Sequence, residues 1–189
     1  MKKILITAFE PFGARETNAS AAVLEKLPDR ILDYHAEKIL LPVVYGKAAE
    51  TALQHPADTV FLLGEAGGRN TVTPELQAVN IREAQIPDNE GNKPAAEKIL
   101  PDGPDVYATP FPVSRIVLQM KEEKYRIEVS GDAGKYVCND TFYLTGLGSN
   151  VPVSFVHVPA QEERAEEFAK TVCRFIELCL RQDTGLTEP

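Results

Sequence analysis

The chain has 189 residues, enough for one domain with a sizeable core. Hydrophobic residues make up 43% and charged residues 25%, an ordinary globular balance, and the net charge of −8 argues against nucleic acid or an anionic membrane as the main partner. The sparse cysteines, Cys138, Cys173 and Cys179, make a poor disulfide framework and suit a reducing cytoplasm, and with no C-x-x-C and scattered histidines no metal site is expected.

Met1 to Ala8 opens like a signal peptide, but the apolar run is short and β-branched, and it reads as a buried parallel strand over 3–8. Phe9-Glu10-Pro11-Phe12-Gly13 ends it, and Asn18 is the expected N-cap of a helix reaching about Leu27. A second strand is expected at Lys38 to Val43 and a helix over Gly46 to His55, stopped by Pro56. Asp58 to Leu63 is a third buried strand that runs into the turn Gly64-Glu65-Ala66-Gly67-Gly68-Arg69, which lacks the ending of a P-loop and still lets backbone approach a ligand. Thr71 to Ile81 reads as extended, and the proline-dense stretch 82–112 is too long for an ordinary loop. A helix over Ser114 to Lys124 with Ser114 as cap follows, then a fourth strand from Arg126 to Ser130. The segment around Cys138 opens a helix to about Leu147, Val151 to Val158 is a fifth strand carrying His157, and Gln161 to Leu180 is a strongly amphipathic last helix. The polar tail 182–189 is expected to fray. No stretch approaches the roughly 18 apolar residues of a membrane span.

Strands alternating with helices imply an α/β fold with helices on both faces of a largely parallel sheet, and ligands in such sheets sit at the carboxyl ends of strands. The Phe9–Phe12 loop, the Gly64–Arg69 turn, the start of the Cys138 helix and His157 all fall at such ends. A thiol at a helix start sees unpaired backbone N–H groups and the positive end of the helix dipole, both of which favour thiolate. The other reading of Cys138 is a small buried hydrophobe. His157 is the histidine placed on an apolar strand, where it needs a partner, whereas His35 and His55 are expected to be exposed. Glu75 and Asp140 both remain candidates to orient the imidazole.

Taken together these residues resemble the pyroglutamyl-peptidase I family of cysteine peptidases. Phe9-Glu10-Pro11-Phe12-Gly13 with Asn18, the Gly64–Arg69 turn, Glu75 to Asn80 and Ile86-Pro87-Asp88-Asn89-Glu90-Gly91 match the family's blocks in order. So do Ala133-Gly134, Val137-Cys138-Asn139 and Phe155-Val156-His157-Val158-Pro159. The resemblance implies a three-layer α/β/α sandwich, no cofactor, a cytoplasmic home and a homo-oligomer, tetramer or dimer. It implies a cysteine omega-peptidase that removes an N-terminal pyroglutamyl residue from peptides through a thioester. Carried over, the nucleophile falls on Cys138, the base on His157 and the third member on Glu75, and Phe9, Phe12, Asn18, Glu65, Gln85, Tyr136 and Val137 are expected to contact substrate.

Two departures bear on chemistry. Glu65 stands where the family often has Gln, and an ionised carboxylate accepts from a lactam N–H but cannot donate to its carbonyl. Gln85 stands where the family usually has Arg, a position expected to help at the oxyanion. Two other readings are a family fold kept as a binding protein with its activity lost, and a cysteine hydrolase of another small lactam or amide.

Overall fold

The computed structural model describes residues 2–183, so most of the tail expected to fray, 184–189, lies outside the described residues. Its centre is a six-stranded sheet in the order β2-β3-β1-β4-β8-β5. The strands are β1 (Lys3–Phe9), β2 (Arg30–Ile31), β3 (Tyr34–Leu41), β4 (Thr59–Ala66), β5 (Thr73–Pro74) and β8 (Val153–Pro159); β6 (Gln77–Val79) and β7 (Val106–Ala108) pair separately. β1, β3, β4 and β8 run parallel, and the short edge strands β2 and β5 run antiparallel to their neighbours. β1, β4 and β8 read as near-continuous apolar runs because both faces of the sheet are covered.

Alternation along those strands divides the core. Ile4, Ile6, Phe61, Leu63, Val156 and Val158 face α1 (Ala19–Lys26), α3 (Val113–Glu122) and α5 (Ala165–Asp183). Leu5, Val60, Leu62, Val153 and Phe155 face α2 (Lys47–Leu53) and α4 (Val137–Gly148). This is the expected α/β/α sandwich with a mixed sheet.

Several expectations need correction. Arg126 to Ser130 is not a strand: it makes only isolated bridges, Ile127 to Val72 and Ser130 to Glu75. α3 begins at Val113 after Pro112, without a side-chain cap, so Ser114 lies inside the helix. The second strand, expected from Lys38 to Val43, is β3: it starts earlier, at Tyr34 after the turn in which Leu32 takes a left-handed φ of 54°, and ends at Leu41, short of Pro42 and Val43. α5 runs on through Gln182 and Asp183, past the expected end at Leu180. The stretch 82–112 is ordered by an antiparallel bridge between Arg82 and Glu97, by β7, and by Asp88, whose carboxylate accepts from the backbone N–H groups of Tyr45, Glu90 and Asn92. Among the described residues, no helix is long and apolar enough to cross a membrane.

Candidate active site

His157 lies inside β8, in register with Gly64 of β4. It shares a sheet face with Phe155, whose ring centroid is 4.7 Å from the imidazole. That face is the one α4 covers, and α4 carries Cys138 in its first turn. Gly64 is the neighbour common to both: a methyl group added there would sit 2.8 Å from Sγ of Cys138 and 2.7 Å from Cζ of Phe155. The first turn of α4 is held by Asn139, which accepts from the N–H of Val79 (2.9 Å) and donates to the carbonyls of Val79 (2.9 Å) and Ile81 (3.0 Å). No side chain caps the helix start at Tyr136, which leaves its leading N–H groups without a side-chain acceptor there.

Glu75 reaches the imidazole from the segment just after β5. Its Oε1 lies 2.7 Å from Nδ1 of His157, and both side chains are almost wholly enclosed. The same oxygen accepts from Nη1 of Arg69 at 2.6 Å. Burial pushes the Glu75 carboxyl up, but the hydrogen bond and charge of His157, the Ser130 hydroxyl and the Arg69 charge outweigh it and hold the group below the usual carboxylate range. Burial lowers His157, and Glu75 only partly restores it. An ionised Glu75 beside a neutral imidazole makes Nδ1 the donor and leaves Nε2 as a base. Asp140, the competing candidate, is committed elsewhere: it pairs with Arg82 at 2.7 Å and accepts from the N–H of Gly46 at 2.8 Å.

The thiol departs from expectation. Burial, with the charge of Glu75 adding and that of Arg69 opposing, pushes Cys138 up to about 12. The helix start does not outweigh this burial, to which Gly64 of β4 contributes by lying close against Sγ, although Cys138 as a whole is only half-buried. Burial thus favours the thiol form of Cys138 and the neutral imidazole of His157.

Cys138 opens onto a small cavity also lined by Phe9, Phe12, Asn18, Val43, Glu65, Tyr136 and Val137. Every residue expected to contact substrate is there except Gln85, which is exposed and outside the lining. Asn18 caps α1 as expected: its Oδ1 accepts from the N–H of Ser20 at 3.0 Å and its Nδ2 donates to the carbonyl of Glu10 at 3.1 Å. Glu65 is enclosed, accepts from the N–H of Ala19 at 2.6 Å and pairs with Arg15. The rim is tied to the long loop, where Tyr136 donates to the carbonyl of Pro87 at 3.0 Å and Asn89 to that of Pro11 at 3.0 Å.

With this geometry in view, comparison with known proteins decides the family. A family model described as pyroglutamyl peptidase matches residues 2–173. The chain belongs to the pyroglutamyl peptidase family. It is 37% identical to a pyrrolidone-carboxylate peptidase of Clostridium botulinum, over 83% of this chain and 78% of that one. It is 38% identical to one of Thermococcus onnurineus, over 86% of each chain. A mutant pyrrolidone carboxyl peptidase from Pyrococcus furiosus has the same fold, with a TM-score of 0.87 and 31% identity over 95% of this chain and 99% of that chain.

Four residues of the site carried no assigned role in the sequence. Val43 follows β3 and lines the cavity, and Arg15 neutralises Glu65. Gly64 and Arg69 stood within a quoted motif, but nothing local revealed that one abuts the thiol and the other the buried carboxylate.

Proposed function

We propose that the chain is an omega-peptidase that hydrolyses the bond after an N-terminal pyroglutamyl residue, with Cys138 as nucleophile, His157 as base and Glu75 orienting the imidazole. The observation that carries this reading is the enclosed Glu75–His157 pair at 2.7 Å, set beside a glycine that abuts the Cys138 thiol.

Nε2 of His157 takes the Sγ proton as sulfur attacks the pyroglutamyl carbonyl. The carbonyl electrons move to oxygen, and N–H groups at the start of α4 stabilise that oxyanion. The intermediate collapses, the C–N bond breaks, and the imidazolium gives its proton to the departing amine. Water, deprotonated by His157, then cleaves the thioester and releases pyroglutamate. Phe9, Phe12, Val43, Tyr136 and Val137 wall the lactam ring, and Glu65 accepts from its N–H. An ordinary N-terminus would bring an ammonium into this apolar enclosure without its water, which disfavours it. Gln85, exposed beside the rim, is left out of the pocket.

The three free thiols suit a reducing compartment such as the cytoplasm. The exposed leucines Leu53, Leu100 and Leu147 on one face suit burial between copies, in line with a homo-oligomer, which sedimentation tests directly. The activity is tested with a panel of aminoacyl coumarin amides under reducing conditions. The pyroglutamyl amide is expected to be cleaved and the alanyl and prolyl amides left intact; the reverse preference overturns the substrate assignment. Glu65, a carboxylate inside the cavity, is the one observation that favours a different small lactam or amide as substrate.

A further inference from the structure

Arg69 has no part in the steps above, yet it is wired into them. Gly68, with a left-handed φ of 84°, turns the chain after β4, and the Arg69 side chain runs toward Glu75. Its Nη1 donates to Oε1 of Glu75 at 2.6 Å and to the Thr73 hydroxyl, and its Nη2 donates to the carbonyl of Asp132 at 2.8 Å. One guanidinium thus spans β5, the Glu75 segment and the loop leading to Cys138.

We propose that Arg69 is a positioning residue of the active site: by sharing Oε1 of Glu75 with Nδ1 of His157, it fixes the carboxylate in line with the imidazole and balances its buried charge. The assignment rests on the peptidase reading above. Glu75 is fully enclosed, and a lone carboxylate there would take up a proton. The groups acting on it are His157, Ser130 and Arg69, and of these only Arg69 is a permanent cation. His157 is neutral at rest and supplies a positive charge only after it has taken the thiol proton. The other charges facing the imidazole and the thiol are Glu75, Asp132 and Arg69 itself. A lysine in place of Arg69 keeps the charge but not the fork that holds three acceptors at once.

Removing the guanidinium has two effects of the same sign. Glu75 takes a proton more readily, and His157, no longer opposed by a nearby cation, becomes harder to deprotonate. Both move the acidic limb of the rate profile to higher pH.

The test compares wild type, Arg69→Met, Arg69→Lys and Arg69→Ala, each checked for folding by circular dichroism. For Arg69→Met, kcat is expected to fall on the order of 10²-fold, less than the roughly 10⁴-fold lost when a triad carboxylate is replaced. KM should change little, and the acidic limb should move up. Arg69→Lys keeps the limb near its wild-type place and loses part of kcat. Arg69 is 26% exposed, so added guanidinium is expected to restore activity to Arg69→Ala. Nitrogen-15 spectra of His157 provide a readout that does not need turnover: wild type holds the Nδ1–H tautomer through the neutral range and Arg69→Met does not. If wild type fails to cleave the substrate, the peptidase reading falls while the spectra still judge Arg69. An unmoved pH profile, a loss that guanidinium does not restore, or an unchanged His157 tautomer in a folded variant overturns the proposal.

Discussion

Gly64 and Cys138 meet with no room for a methyl group between them: a Cβ at position 64 would lie 2.8 Å from the sulfur and 2.7 Å from the ring of Phe155. Gly64 is also the register partner of His157. The absence of a side chain on β4 therefore sets how closely α4 approaches the sheet, and with it where the thiol stands. Gly64→Ala is expected to displace Sγ, lowering kcat/KM on the order of 10²-fold and costing about 1–3 kcal/mol of stability through overpacking. Steady-state kinetics and urea unfolding measure both; an active, unshifted Gly64→Ala would show that the contact has slack.

The protonation states predict an unusual reactivity profile. His157 is held below the ordinary histidine value by burial, so its acidic limb in kcat/KM should fall below the usual histidine range. Above that limb the base is available, and activity should stay flat through neutral pH. Cys138, pushed up to about 12 by burial, should react with iodoacetamide at a rate that climbs roughly tenfold per pH unit through the neutral range, as the thiolate fraction does. A plateau in alkylation near neutral pH would mean a preformed thiolate, contrary to this account.

Glu65 and Arg15 form an ion pair at the cavity wall. The carboxylate is enclosed at the cavity wall while the guanidinium is 40% exposed. Glu65→Ala removes the acceptor proposed for the lactam N–H and should raise KM about tenfold with kcat little changed, about 1.4 kcal/mol of uniform binding. Arg15→Ala should have a smaller effect, because a half-exposed partner contributes at most about 1 kcal/mol. Separate kcat and KM values for the two variants give the comparison.

Asn18 ties the start of α1 to the loop that bears Phe12. Asn18→Ala removes the acceptor for the Ser20 N–H and the donor to the Glu10 carbonyl, and should cost about 1–2 kcal/mol. Thermal unfolding measures the loss. Kinetics on the folded variant will separate this role from any contact with substrate.

The long central strands and α5 were legible because burial leaves a periodic trace in sequence. Asn18 was legible because a cap is a local event. The antiparallel edges were not: β2 and β5 are two residues each, too short for a pattern, and Leu32 turns left-handed without a glycine to announce it. The site followed the same division. Cys138, His157 and Phe9 sit on regular elements whose ends could be located. The protonation of the thiol was not legible, since the dipole of its own helix is readable locally, whereas the burial that raises Cys138 comes from elements distant in sequence, Gly64 of β4 among them. Gln85 was placed by its neighbours in a motif, but its side chain is exposed. Arg69 stood in plain view without a partner, because its link to Glu75 is made by a backbone turn at Gly68 and not by spacing.

The central claim is that Cys138 cuts the pyroglutamyl bond. Its most direct test is fluorimetric release of aminocoumarin from pyroglutamyl aminomethylcoumarin by the purified, reduced protein and two variants. Wild type and Cys173→Ser should release the amine at similar rates, and Cys138→Ser should release none. A folded wild type without release, or release undiminished in Cys138→Ser, would contradict the account.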